Sequence, residues 1–444
     1  MNLFEFGKGL VVEYLAYPAA ERISKREVSS KLRALRKAYQ MPFLERQKAN
    51  VQRLAHIIDA ARAGSPYYKE LLIDCDVDGD KIRRDVKYLN DVPYLTKDIL
   101  REQGERILTK PLAKVPHVTS PTGGSTGARV PIWYDHPARD WSASITRLSR
   151  ESVGVRLRAR EVHFASDIGH NTTEDALRVE AKKNFVFNRA NVFYSQLDDA
   201  ALSEILAQIK VADPMLVHGH PSTINALANF VARTQGAEPR LFRFFEASGE
   251  LLEDKIRERV EQVFDCHVIN RYGSAEFGII AYQQDPEDSA MRVYDTEVWP
   301  ETVPYDADGT MLDELVFTGL RNNFMPLIRY QTGDLGILSV NEQGISLTNM
   351  VGRMHDMIEL GGKLCPTHYI MDVLQHRIGG IEDYQIDLRE EAPVIRVVLE
   401  PHGNLDNIRT QIHEIWGESL KVQAVQITDL VLVGWRSKFR HVLK

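Results

Sequence analysis

The sequence predicts an α/β fold: a large N-terminal α/β domain carrying a helical N-terminal extension, followed by a small α+β domain. Three observations carry this prediction. Between residues 112 and 350, short β-rich runs alternate with helical runs, the pattern of parallel strands with helices on their faces. After Gly352 the texture changes to a hairpin, a helix and a strand within roughly 90 residues, an ordinary domain size. The chain has 444 residues, 43% hydrophobic and 26% charged, enough for two or three domains with buried cores.

Residues 24–70 read as helices. Lys31, Arg33, Arg36, Lys37 and Arg46 mark polar faces, while Val51, Leu54, Ile57 and Ile58 recur at helical spacing. The mildly apolar stretch 9–19 reads as a further helix packed on the body. Residues 88–93 read as a turn into Leu95-Thr96-Lys97, where Thr96 caps the next helix. The alternating region offers strands at 162–165, 215–217, 242–247 and 267–269, and helices at 199–210, 222–234 and 253–264. Residues 315–318 and 336–339 read as later strands. Beyond Gly352 come a helix at 367–377, a hairpin from 384–389 and 394–400, a helix at 405–420 and a strand at 422–433. The expected division is 1–110 for the helical extension, 111–351 for the α/β core and 352–444 for the small domain.

The net charge of −7 argues against a nucleic-acid partner. No apolar run approaches the ~20 residues of a membrane span. The first residues lack the basic start and apolar centre of a signal peptide. The three cysteines, Cys75, Cys266 and Cys365, have neither zinc spacing nor the count of a disulfide framework. A reducing cytoplasm is the expected compartment.

Chemistry concentrates first in Thr119-Ser120-Pro121-Thr122-Gly123-Gly124-Ser125-Thr126-Gly127. Glycines let several backbone N–H groups point at one anion, and hydroxyls add donors. No Gly-Lys-Ser/Thr follows at Walker spacing. Taken alone, such a cluster reads more often as a surface linker. Four turn-like motifs follow in order: Ser248-Gly249-Glu250, Tyr272-Gly273-Ser274-Ala275-Glu276, Arg329-Tyr330-Gln331-Thr332-Gly333-Asp334 and Gly352-Arg353-Met354-His355-Asp356. Each follows an expected strand, and ligands of open α/β sheets bind at the carboxyl ends of strands.

This set, in this order, resembles the adenylate-forming superfamily of acyl-CoA synthetases, luciferases and adenylation domains. Within it the chain is most similar to the phenylacetate-CoA ligase branch and its capsular-polysaccharide relatives. Ser65-Pro66-Tyr67-Tyr68, the run from Val92 to Lys97, and Met325-Pro326-Leu327-Ile328 before Arg329 add to the match. The resemblance implies ATP-dependent activation of a small carboxylate through an acyl-adenylate, then transfer to coenzyme A.

By the same resemblance, Thr122, Gly123, Gly124, Ser125, Thr126 and Gly127 would hold the β- and γ-phosphates. Glu276 would bind Mg²⁺. Ser248, Gly249 and Glu250 would wall one side of the adenine, with Tyr272, Gly273 and Ser274 on the other. Asp334 would accept from the ribose hydroxyls, and Arg353 would reach ribose or phosphate. Lys438, in Arg436-Ser437-Lys438, stands where the family carries its C-terminal catalytic lysine, and the small domain would swing as a lid. The acyl pocket is expected around Tyr194, His218, His220 and Phe245. Rival readings are an adenylating enzyme serving an amine, sugar or carrier-protein acceptor, one that transfers AMP itself, and a non-catalytic binding member. A homodimer stays open.

The chain departs from the family pattern in places. Arg129-Val130 stands where the loop often ends in Pro-Lys, and His355 stands at the hinge where Asp is usual. Three other patterns carry less. Asp74, Asp76, Asp78 and Asp85 imitate a calcium loop, but Lys81, Arg83 and Arg84 crowd it. His218-Gly219-His220 lacks a third ligand nearby. Cys266 and His267, adjacent on a strand, face opposite ways.

Overall fold

The computed structural model describes residues 3–121, 130–166, 174–194, 197–307, 310–353, 357–366, 370, 373–374, 378–390, 392–433, 438–439 and 441–443. The chain opens with helices, Val28–Gln40 and Phe43–Gly64 being the longest of the first hundred residues. Short helices follow where the sequence supplies caps. Ser65 accepts from the Tyr68 N–H, with Pro66 in the first turn. Asp78 accepts from the Lys81 N–H, and Thr96 from the Ile99 N–H as its position predicts. Arg46 fixes these helices to the body: its Nε lies 3.0 Å from both oxygens of Asp295, and both side chains are buried.

Next come β1 (His117–Pro121) and β2 (Pro131–Asp135), an antiparallel pair whose last partners are Pro121 and Pro131. The strands β3 (Glu161–Ser166), β4 (Arg189–Tyr194), β5 (Leu216–Gly219), β6 (Phe244–Ala247) and β7 (His267–Ser274) run parallel to one another. Helices Asp199–Ala212, Pro221–Gln235 and Asp254–Phe264 connect them. Neighbouring strand residues point to opposite faces. Val162, Val217, Phe245 and Val268 therefore pack against Leu206, Leu227, Val231 and Phe264 of these helices. Leu216, Phe244 and Ile269 pack on the other face, with Ile145 of helix His136–Ser152 and Leu35.

Strict strand–helix alternation does not persist past β7, and here the predicted parallel pattern is corrected. The strands β8 (Gly278–Gln283), β9 (Met291–Val293), β10 (Val298–Ala307), β11 (Thr310–Gly319), β12 (Tyr330–Asn341) and β13 (Gly344–Arg353) pair antiparallel. Turns or loops, with no helices, separate them, so each strand can reverse onto a neighbour. Among the described residues the result is one eleven-stranded sheet in the order β10-β11-β12-β13-β9-β8-β7-β6-β5-β3-β4.

Past β13 come β14 (Met357–Leu360) and β15 (Lys363–Pro366). The predicted hairpin forms as β16 (Ile381–Asp387) and β17 (Val394–Leu399). The helix expected at 405–420 stops at Trp416, because Gly417 at φ +97° turns the chain out of it. The strand expected at 422–433 is broken into β18 (Lys421–Ala424), a 3-10 turn at Ile427–Asp429 and β19 (Leu432–Val433). A reciprocal cap between Gln426 and Asp429 makes the turn. Then come β20 (Lys438–Phe439) and β21 (Val442–Leu443). A four-stranded sheet, β18-β17-β16-β21, packs with helix Leu405–Trp416 around Tyr384, Ile395, Ile408 and Trp416. Most of the helix expected at 367–377 lies outside the described residues.

Candidate active site

Several motif residues converge at the carboxyl ends of β4, β5 and β6. Tyr194 ends β4 and its hydroxyl lies 2.8 Å from Thr223 Oγ1. The Ser248 N–H donates to Gly219 O at 3.0 Å, and His220 Nδ1 lies 2.9 Å from Ser248 O. Gly249 takes φ +86°, a conformation that suits glycine and lets the turn reverse. Glu250 then points back, its Oε2 accepting from the Ser222 N–H at 3.1 Å at the start of helix Pro221–Gln235. Its Oε1 is buried with no hydrogen-bond partner among the described residues. Such an acceptor is costly unless something donates to it.

A second cluster joins β7 to β12 across the strands between them. The Tyr272 hydroxyl donates to Asp334 Oδ2 at 2.8 Å. The Tyr330 hydroxyl donates to Glu276 Oε1 at 3.0 Å, and Tyr134 donates to Ala275 O at 2.7 Å. Burial, then the Glu276 charge, pushes the Tyr134 phenol up, so it stays a neutral donor. Gly273 has no room for a side chain, since a Cβ there would meet Gly278 O at 2.4 Å. Gly333 turns at φ +72°, with its N–H donating to buried Glu314 at 3.2 Å, and so presents Asp334. Asp334 is paired across the strands with Arg353.

A third cluster was not predicted. His163, His218 and Glu246 lie in register on β3, β5 and β6. Glu246 is fully buried and receives Arg150 Nη2 at 2.9 Å, Arg271 Nη1 at 2.9 Å and the Tyr282 hydroxyl at 2.9 Å. Arg150 also reaches Glu161 at 2.6 Å, and Glu161 Oε2 lies 3.1 Å from His163 Nε2. Burial by itself would raise both carboxyls. Arg150, with Arg271 for Glu246, outweighs it, holding Glu161 at about 2 and Glu246 well below its usual range. Burial also lowers both histidines, His163 to about 3, so both are neutral near pH 7. The sequence held one signal for this cluster. A carboxylate inside the apolar run Phe244-Phe245-Glu246-Ala247 demands a buried cation.

The expected pocket set thus divides. Tyr194 and His220 stand at the strand ends beside Ser248 and Glu250. His218 turns to the polar row, its Nδ1 2.9 Å from Glu246 Oε1 without hydrogen-bond geometry. Phe245 is completely buried among Val217, Leu227 and Val268, inside the core and not at a pocket surface. Tyr194 shares that face but is the last residue of β4, whereas Phe245 lies inside β6.

The motifs at 65–68, 92–97 and 325–331 prove to be one joint. The Ile328 N–H donates to the buried Tyr68 hydroxyl at 3.1 Å. The Leu95 N–H donates to Arg329 O at 2.9 Å, and the Gln331 N–H to Leu95 O at 3.0 Å. Arg329, at φ +52°, donates to the carbonyls of Asn90 and Val92 and to Glu301. This joint holds the start of β12, and with it Tyr330 and Asp334.

Thr122, Gly123, Gly124, Ser125, Thr126 and Gly127 lie outside the described residues, between the paired Pro121 and Pro131. His355 and Asp356 lie outside them too. The backbone of Lys438 pairs with Val433 across β19 and β20. Among the described residues no three His, Cys, Asp or Glu side chains group as a metal site. The calcium imitation dissolves into pairing, Asp76 with Lys81 at 2.6 Å and Asp78 as a helix cap.

The mixed α/β sheet with a smaller α+β unit after it fits the resemblance to the adenylate-forming superfamily read from the sequence. The fold matches 2-hydroxyisobutyryl-CoA ligase in its postadenylation state with 2-HIB-AMP at a TM-score of 0.69, with 18% identity, over 91% of this chain and 90% of that one. In sequence the chain is 26% identical over 325 residues to Protein CapK of Staphylococcus aureus, covering 69% of this chain and 68% of that protein. It is 22% identical over 380 residues to phenylacetate-coenzyme A ligase of Pseudomonas putida, covering 82% and 80%. No family model matches the chain.

Proposed function

We propose that this protein activates a small carboxylic acid with ATP, through an acyl-adenylate, and passes the acyl group to the thiol of coenzyme A. The observation that carries the reading is the pair of tyrosine–carboxylate bonds, Tyr272 with Asp334 and Tyr330 with Glu276. It supports a site for a nucleotide and its metal. In the first step a carboxylate oxygen bonds to the α-phosphorus and pyrophosphate leaves. In the second the thiol sulfur bonds to the acyl carbon and AMP leaves. Phosphoryl transfer of this kind needs positioning and charge neutralisation more than covalent help.

Asp334 would accept from the ribose hydroxyls, and Tyr272 with the Ser248–Glu250 turn would hold the base between them. Glu250 Oε1 is a waiting acceptor for a ligand donor. Arg353, in register with Asp334, would serve ribose or phosphate, and residues 122–127 the pyrophosphate. Glu276 fits Mg²⁺: among the described residues its hydrogen-bond partner is a neutral phenol, with no cation paired to it, so its charge stays available to a hard ion. Mg²⁺ there would neutralise phosphate charge. Tyr194 and His220 would line the acyl side, with His218 beneath. The division at about residue 352 and a cytoplasmic location belong to the same proposal. Among the described residues no helix is long and apolar enough to cross a membrane.

The test is pyrophosphate release with a panel of carboxylic acids, with and without coenzyme A. Acid-dependent release with thioester formation is the expected result, and no release with any acid would refute the reading. Lys438→Ala should slow adenylate formation while sparing thioester formation from supplied acyl-adenylate. Equal loss of both would remove that lysine from the role. The similarity to Protein CapK leaves the acceptor open, and a second reading keeps adenylation with an amine or sugar as acceptor. Release without thioester would select it.

A further inference from the structure

We infer that His441 is a positioning residue: it latches the small C-terminal sheet onto the turn behind the Ser248-Gly249-Glu250 wall and so fixes the segment that carries Lys438. The inference rests on the adenylating reading for what the latch serves, but not for the latch itself.

The geometry is a bridge between two parts of the chain. His441 Nε2 lies 3.4 Å from Asp383 Oδ1 on β16 and 3.7 Å from Glu253 Oε1. Glu253 is the residue just before helix Asp254–Phe264, three positions beyond Glu250. The imidazole also lies against the Tyr384 ring, centroids 4.6 Å apart. One ring therefore stands between a carboxylate of the small sheet and a carboxylate of the nucleotide-binding body. Its backbone is equally fixed. The Ile386 N–H donates to His441 O at 2.7 Å, and β21 runs parallel to β16 directly after it. Lys438 is three residues before this anchor, on a strand held by β19. Beside the latch, burial raises the Glu382 carboxyl of β16, and the charges of Arg259 and Arg233 on the body's helices oppose that rise.

Electrostatics gives the latch a direction. Without a proton on His441, Glu253, Asp383 and nearby Glu250 are like charges drawn together. With one, the imidazolium joins them. Burial opposes that charge, but the Asp383 hydrogen bond and the Glu253, Asp383 and Glu250 charges outweigh it and raise the histidine above its ordinary value. Separating the small sheet from the body removes Glu253 and Glu250, so the docked form binds the proton more tightly than the undocked one. By linkage, docking is fully supported below about pH 6.5, the ordinary histidine value, and the support fades as pH rises through the raised one.

The experiment is hydrogen exchange of backbone amides in residues 250–260 and 381–388, corrected for intrinsic rates, in the full chain at pH 6 and pH 8.5. The wild type should be more protected at pH 6. His441→Gln should raise exchange in both segments at least tenfold at pH 6 and abolish the pH difference. Glu253→Gln, a change on the body side, should also abolish it, which keeps the test sound if the histidine variant folds poorly. Carboxylate-dependent pyrophosphate exchange should fall at least tenfold in His441→Gln, with thioester formation from supplied acyl-adenylate kept within twofold. Unchanged protection in both variants, or loss of protection spread over the whole chain in both, would overturn the latch. Normal latch behaviour without pyrophosphate exchange for any acid would instead refute the adenylating reading and leave the latch standing.

Discussion

Glu246 and Glu276 are both glutamates of the α/β body, but their surroundings assign them opposite work. Glu246 sits in the middle of the parallel strands, fully buried, with two arginines, a tyrosine and a histidine around it. Its charge is spent inside the protein. Glu276 sits on the turn between β7 and β8, where the sheet changes from parallel to antiparallel, with a neutral phenol as its hydrogen-bond partner. Among the described residues no cation pairs with it, and in the proposed function its charge serves a bound metal ion. A carboxylate's partner, more than its depth, separates architecture from chemistry here. An arginine beside it neutralises the charge, whereas a tyrosine only aims it.

The widest separation between the two sites comes from truncating each. Glu276→Ala should cut acid-dependent pyrophosphate release about 10²–10³-fold, the scale of losing one electrostatic stabiliser at a reacting centre. Its thermal midpoint should stay near that of the wild type. Glu246→Ala leaves buried Arg150 and half-buried Arg271 without their shared anion, and should cost about 3–5 kcal/mol of stability in a denaturant titration. Comparable stability losses in both variants would erase the distinction. Next in size, Asp334→Ala should raise the KM for ATP about tenfold or more with the fold intact, as expected for losing charged hydrogen bonds. An unchanged KM would remove Asp334 from the nucleotide site.

Smaller still is Tyr330→Phe. It removes one neutral hydrogen bond, worth about 1 kcal/mol, and should weaken Mg²⁺ dependence about fivefold while sparing stability. The gentlest probe is acid. Glu161 and Glu246 are depressed in the folded chain, so the stability they contribute is complete above about pH 4.5 and fades as pH falls toward 2. Circular dichroism during acidification should show this loss. Glu161→Gln should flatten its slope, and an unchanged slope would mean that other carboxylates dominate.

Four of the five parallel strands and the three helices from 199 to 264 were legible because their apolar periodicity is local and strong, while β4 and helix Glu174–Val186 were not read. Of the antiparallel half only 315–318 and 336–339 were read as strands, because among the described residues no helices stand between β8 and β13 to punctuate the pattern, and pairing partners are chosen across the sheet. Site turns were legible where the chemistry is written in adjacent residues, as in Tyr272 to Glu276 and Thr332 to Asp334. Phe245 was placed in the acyl pocket because it adjoins a site turn in sequence. Its place inside the strand, two residues short of the end of β6, buries it in the helix-covered core. The Ser65–Tyr68 and Val92–Lys97 motifs were readable as a resemblance, but their work, bracing Arg329 and Tyr330, emerges only when segments more than two hundred residues apart meet.

The sequence by itself determined most strands and helices of the parallel half, the small domain's hairpin and the turns that offer Tyr272, Glu276 and Asp334, since each depends on neighbouring residues and their backbone preferences. Tertiary structure alone decided which carboxylates are neutralised and which stay available. It brought Arg150 and Arg271 to Glu246, gave Tyr330 to Glu276, and set His441 between Asp383 and Glu253. Partnership between charges is a matter of distance in space, and the fold sets that distance.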